Sequence, residues 1–226
     1  MTTPEPQESL EPVPFGAGSF SVVEYGDIVE TLLTSRSLGF LGPGPVEAHI
    51  DHALAHLAVV KRYYAGPRTL CDLGSGGGVP ALVFAASLPE SELTLVDSMA
   101  KRCEFLAGVV THFAWEDSVS VWHTRAEEFA RLNRERFDVV TARSFAQPAV
   151  TAEIAAGLVK VGGVVVVSAT PDSRDLWNAE AMVELGYGPA EIVVESDRSF
   201  AVINKLRPCA SKFPRRTGIP SKRPLW

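Results

Sequence analysis

The sequence predicts an α/β protein. A mostly parallel sheet is preceded by a helical extension and closed by an antiparallel hairpin. Three observations predict this. From Arg68 onward, short apolar runs alternate with amphipathic stretches. A glycine-rich turn, Gly74-Ser75-Gly76-Gly77-Gly78, joins the first such run to a helical stretch. The last two runs are separated by four polar residues, too few for a helical crossover.

Residues 1–14 are Pro-rich and acidic and read as a disordered leader. Residues 15–65 form the helical extension. Within it, Phe20 to Ser37 carries Val22, Val23, Ile28, Val29, Leu32 and Leu33 at helical spacing. Gly39 to Pro45 is a Gly/Pro-rich break. Val46 to Tyr64 then predicts a helix with Ile50, Leu54, Leu57 and Val60 inward, ended by Gly66-Pro67.

Residues 66–206 carry the sheet. Thr69 to Leu73 is the first strand. Pro80 suits the first turn of a helix running to about Leu88, because its missing N–H would be unpaired there. Glu92 to Asp97 is the second strand, and Ser98 is placed to cap a helix through Trp115. Ser118 to His123, Phe137 to Thr141 and Val164 to Val167 are further strands. Helices over Arg125 to Arg134 and Pro148 to Val159 separate them. The four consecutive valines fit a strand buried on both faces, with Gly162-Gly163 turning into it. Asp175 to Leu185 reads as one helix ended by Gly186. The hairpin pairs Ala190–Glu195 with Phe200–Asn204 across the loop Ser196-Asp197-Arg198-Ser199.

The bulk numbers narrow the classes. The chain has 226 residues, 46% hydrophobic and 21% charged, ordinary for a soluble protein. No apolar run approaches the ~20 residues of a membrane span. The N-terminus has no basic patch or apolar stretch of a secretory signal. Cys71, Cys103 and Cys209 lie far apart, which argues against a zinc site or a disulfide framework and suits a reducing cytoplasm. The formal charge of −6 hides an asymmetry. Seven of the 21 Lys and Arg fall between Lys205 and Trp226, where there is no acid. An acidic body with a basic tail, residues 207–226, suits contact with a polyanion, and equally a solvated tail.

The glycine turn is followed about twenty residues on by a strand ending in Asp97. Glycines let a backbone approach a ligand, and the acid accepts hydrogen bonds from ribose hydroxyls. This pairing is shared by nicotinamide oxidoreductases and S-adenosylmethionine (SAM) methyltransferases, and the glycine spacing alone fits both. Three features favour SAM: the helical extension before the first strand, the closing hairpin, and Asp72 beside the loop. A carboxylate there opposes an anionic pyrophosphate and tolerates a cationic sulfonium. The expected fold is thus a Rossmann-like class I SAM-dependent methyltransferase sheet.

Five blocks in order make the pattern specific. They are Asp72 to Pro80, Thr94 to Leu106, Arg125 to Phe129, Phe137 to Ala146 and Phe213 to Leu225. The set resembles the RsmG (GidB) family of bacterial 16S ribosomal RNA methyltransferases over residues 66–226. The resemblance implies transfer of a methyl from SAM to N7 of a guanine in the 530 loop. It places cofactor contacts at Gly74, Val79, Ala126, Glu127 and Arg143, with Asp97 on the ribose. The glycine loop itself adds Asp72, Gly76 and Gly78 to the expected cofactor set. Arg143 is the single catalytic candidate, through the methionine carboxylate or the RNA. Lys212, Arg215, Arg216, Lys222 and Arg223 are the expected RNA contacts. Partners are 16S ribosomal RNA or the 30S subunit, with a monomeric enzyme in the cytoplasm, no membrane and no metal.

Some positions depart from the family pattern. Asp51-His52-Ala53-Leu54 stands where an Arg-His stretch is usual, and Ser168-Ala169 stands where Lys-Gly is usual. These leave open another RNA or a small molecule as substrate, or a non-catalytic RNA-binding role. His49, His52 and His56 share one helix side and read as structural, because no cysteine completes a metal set. Trp115 and Trp122 read as core residues.

Overall fold

The computed structural model describes residues 25–226. The expected leader and the first residues of the first helix lie outside the described residues. Helices α1 (Tyr25–Ser37) and α2 (Val46–Tyr63) make the N-terminal extension. The sheet region then runs β1 (Thr69–Leu73), α3 (Ala81–Ser87), β2 (Glu92–Asp97), α4 (Ala100–His112), β3 (Val119–His123), α5 (Ala126–Leu132), β4 (Phe137–Ala142), α6 (Pro148–Leu158) and β5 (Val159–Ala169). A 3-10 turn (Ser173–Leu176), α7 (Ala179–Glu184), β6 (Glu191–Glu195), β7 (Arg198–Asn204) and α8 (Ile219–Lys222) complete it.

The seven strands lie in the order β3-β2-β1-β4-β5-β7-β6. The first five are parallel, and β7 runs antiparallel between β5 and β6. Strand alternation gives each face its own core. Leu70, Leu95, Val139, Val166, Phe200 and Val202 pack with α1–α4. Leu73, Val96, Val140, Val165, Ala201 and Ile203 pack with α5–α7 and the tail. Every residue of β4 is buried, as a central strand covered on both faces requires. None of the described helices is long and apolar enough to cross a membrane. The three cysteines are free and buried.

Several expectations are corrected. Leu54 is 43% exposed, because the buried stripe of α2 runs through Val46, Ala53, His56, Leu57 and Val60 and leaves Leu54 to one side. Ser98 does not cap α4. The carboxylate of Asp97 accepts the Met99 N–H instead, at 2.8 Å, and the helix stops at His112. Gly162 and Gly163 lie inside β5, at an irregularity where its register against β4 shifts. The stretch Asp175 to Leu185 splits into the 3-10 turn and α7, because the Asn178 side chain accepts the Ala181 N–H and starts a new helix. The hairpin loop shrinks to Ser196-Asp197, whose φ values of 47° and 59° suit a two-residue turn. Arg198 therefore belongs to a strand.

Candidate active site

The loop after β1 carries the first half of the site. Gly74 and Ser75 donate their N–H groups to Val96 O, at 2.8 and 3.2 Å, tying the loop to the end of β2. Gly74 has φ +68°, and a Cβ there would sit 2.7 Å from the Phe145 ring. Any side chain at this position would thus meet both strain and a clash. At Gly77, a Cβ would fall 2.6 Å from Ser35 Oγ and 2.7 Å from Phe40 O. The extension is pressed against the loop there, and Ser35 Oγ donates to Gly77 O at 2.8 Å.

Asp97 ends β2 beside this loop. Its Oδ2 accepts the Gly76 N–H at 2.9 Å, and its Oδ1 accepts from Met99. Each oxygen keeps a further lone pair. The adjoining cleft, about 240 Å³, is lined by Gly74, Asp97, Met99, Thr124, Ala126, Glu127, Phe145, Val150, Ile154 and Ser221, among others. One end is polar and acidic and the other apolar, as a nucleoside needs. Glu127 is 2% exposed, and its Oε1 accepts the Gly218 N–H at 3.0 Å. The tail thereby becomes a wall of the cleft.

Val79 and Arg143 stand elsewhere. The Val79 side chain joins the core on the α1–α4 face, and Phe145, Val150 and Ile154 supply the apolar wall that the sequence assigned to it. Gly76 and Gly78 shape the loop behind the cleft. Arg143 follows β4 on the α2 side, where an Nη2–H donates to His49 Nδ1. His49 Nε2 lies 3.3 Å from Gly42 O, so that nitrogen carries the proton and Nδ1 is free to accept.

Around Arg143 lies a second, polar basin at the carboxyl ends of β1, β4 and β5. Side-chain alternation puts Asp72, Thr141, Arg143 and Ser168 on one face, with Arg198 at the start of β7 beside them. Buried side-chain atoms without a hydrogen-bond partner gather here: Asp72 Oδ2, Arg143 Nη1, His52 Nδ1 and Ser168 Oγ. Thr141 Oγ1 donates to the other Asp72 oxygen at 2.7 Å. Burial pushes the Asp72 carboxyl up to about 6, against the Thr141 and Ser75 hydrogen bonds and the Arg143 charge, which pull it down. Burial and then Arg143 lower His52 to about 4, and burial lowers His56 to about 3. Both rings are neutral at pH 7. His56 Nε2 donates to Val166 O at 3.0 Å, and its ring packs on Phe84 and Phe200. Among the described residues, no group of His, Cys, Asp and Glu is arranged to hold a metal ion.

The residues fit SAM on their own chemistry. Asp72, at the start of the glycine loop, keeps one oxygen without a hydrogen-bond partner, but it lies in the Arg143 basin and does not line the cleft. Asp97 offers its remaining lone pairs to a ribose, and the cleft walls offer an apolar slot for a base. Sequence reasoning missed Arg198, Phe145 and Ser221, and marked Ser168 only as a departure from the family pattern. Strand register brings Ser168 opposite Phe200 on β7, two residues from Arg198, and chain order does not show it.

The tail cations divide. Arg215 is held by the wholly buried Glu153 through its Nε, at 2.9 Å to Oε1, and its Nη2, at 2.6 Å to Oε2. Lys212 pairs with Glu184 at 2.5 Å. Arg216, Lys222 and Arg223 are exposed, and none forms an ion pair with a described residue.

Comparison with solved structures supports the fold. The SAH-bound Podospora anserina methyltransferase PaMTH1 superposes with a TM-score of 0.58 at 13% identity, covering 83% of this chain and 91% of that one. A putative S-adenosyl-L-methionine-dependent methyltransferase from Methanococcus maripaludis gives 0.57 at 12% identity, covering 86% and 98%. The fold is that of the class I SAM-dependent methyltransferases. Residues 28–185 match the family model described as rRNA small subunit methyltransferase G. Relatives bearing the name ribosomal RNA small subunit methyltransferase G include one from Lactobacillus johnsonii, 34% identical over 187 residues, 78% of each chain. Another, from Chloroflexus aggregans, is 37% identical over 183 residues, 77% of this chain and 76% of that one. The chain belongs to the ribosomal RNA small subunit methyltransferase G (RsmG, GidB) family.

Proposed function

We propose that this enzyme methylates N7 of a guanine in the 530 loop of 16S ribosomal RNA, as a cytoplasmic monomer acting on the 30S subunit or its RNA. The observation that carries the reading is the basin beside the glycine loop. Arg143, Arg198 and Ser168 offer donors there, and the histidines beside them are neutral. The major-groove edge of guanine presents the acceptor O6 next to N7, and donors match it. When bound, SAM supplies an electrophilic methyl on a sulfonium, and N7 carries a lone pair and no proton, so the acceptor needs no general base. The protein's part is alignment and exclusion of water.

In this reading Asp97 receives the ribose hydroxyls. Ala126 and Glu127 meet the adenine edge. Asp72, Gly74, Gly76 and Gly78 frame the methionine end, and Val79 holds the loop to the core. Arg143 orients the acceptor from its hydrogen bond to His49. Arg216, Lys222 and Arg223 take phosphate oxygens, releasing counterions; Arg215 and Lys212 contribute from their ion pairs. The test is methyl transfer from SAM to 30S particles and to naked 16S RNA, mapped by mass spectrometry. Label at the 530-loop guanine is expected. Label confined to another RNA or to a metabolite pool overturns the reading.

A further inference from the structure

We infer that the tail from Arg215 to Arg223 is a strap that couples ribosomal RNA binding to cofactor binding, a reading that rests on the RNA substrate proposed above. The strap crosses the cofactor cleft and is tied down on both sides. Arg215 is anchored to Glu153 of α6. Thr217 Oγ1 donates to Glu128 at 3.0 Å, and the Gly218 N–H donates to Glu127. Glu127 lines the cleft, and so does Ser221 in α8. One oxygen of a cleft carboxylate is therefore held by the backbone of the strap, while Arg125 lies 3.7 Å from the other.

The outer side of the same segment carries the cations without ion pairs. Arg216 lies two residues before Gly218, and Lys222 and Arg223 follow Ser221 directly. Phosphates bound by these cations would hold Gly218 and Ser221 against the cleft. The bonds to Glu153, Glu128 and Glu127 tie the strap to the body as one piece, so its outer cations and its cleft-facing residues share one position. A ligand that holds the strap in that position favours the arrangement the other ligand needs. The effect is reciprocal by linkage.

The experiment is equilibrium dialysis of labelled S-adenosylhomocysteine with the full-length protein, alone and saturated with 30S subunits that lack the methyl group. Co-sedimentation verifies that the protein is subunit-bound. Subunits are expected to tighten binding by about fivefold or more. The triple variant Arg216→Gln, Lys222→Gln, Arg223→Gln alters exposed side chains only. At subunit concentrations that sediment it fully, its tightening is expected to fall toward onefold. Unchanged affinity in subunit-bound wild type overturns the coupling, and so does full tightening in the variant. Those results leave the RNA reading intact, because the protein still sediments with subunits. Failure of the wild type to sediment, with no methyl transfer, overturns the RNA reading and the coupling with it.

Discussion

The carboxylate of Glu153, wholly buried in α6, is clasped by Arg215 of the C-terminal tail through both guanidinium and backbone N–H groups. A buried charge requires such a partner, because desolvation is costly and only paired charges offset it. The tail is thus part of the folded body. Arg134 reinforces this by donating to Cys209 O at 2.9 Å.

Arg215→Ala is expected to destabilise the protein by about 3 kcal/mol, since it removes the one charge among the described residues that pairs with the buried Glu153 carboxylate and leaves it a single backbone N–H. The double variant Arg215→Met, Glu153→Met removes both charges and should cost much less. Urea unfolding of the three proteins checks this. Equal losses in both variants would show that the ion pair is not the source.

Asp97→Ala should weaken SAM binding by at least about tenfold. Each charge-assisted hydrogen bond to a ribose hydroxyl is worth ~1.5–3 kcal/mol. The change also releases the Gly76 and Met99 N–H groups that the carboxylate now holds. Calorimetric titration with SAM is the measurement. Deleting residues 208–226 should likewise weaken SAM binding, because Ser221 lines the cleft and Gly218 holds the cleft residue Glu127.

Arg143→Ala and Arg198→Ala should act on the acceptor side. A loss of about 10–100-fold in kcat/KM for the subunit is expected from removing one charged donor, ~1.5–3 kcal/mol. SAM affinity should change little, since neither side chain lines the cofactor cleft. Steady-state kinetics beside calorimetry separate the two effects.

Asp72 makes a pH prediction with a definite sign. Its carboxyl titrates near 6 in the fold against 3.8 ordinarily, so the native state holds the proton more tightly than the unfolded chain. Stability from this group is present below about pH 4 and is lost as pH rises toward 6. Asp72→Asn should therefore gain on wild type across that window, by roughly 2–3 kcal/mol. A cationic ligand favours the ionised carboxylate. SAM should then gain affinity relative to S-adenosylhomocysteine between pH 5 and 7.5, and a flat ratio would remove Asp72 from contact with the sulfonium end.

Much of this molecule is written in local pattern. The strands Thr69–Leu73 and Glu92–Asp97 match the sequence reading residue for residue, because apolar alternation and the glycine turn are short-range signals. The glycine loop and Asp97 were legible for the same reason, and the ordered blocks carried the family. Helix ends were less legible: Ser98 does not cap α4, whose N-cap Met99 has its own N–H held by Asp97, so α4 starts without a side-chain cap.

The sequence by itself determined the class of sheet, the cofactor loop and the family. Only the tertiary structure decided that Ser168 and Arg198 join Arg143 in one basin. Strand register, parallel between β4 and β5 and antiparallel between β5 and β7, sets neighbours that are distant along the chain. It also decided that the basic tail closes the cofactor cleft, because a buried carboxylate in α6 needs a cation that charge counting had assigned to RNA.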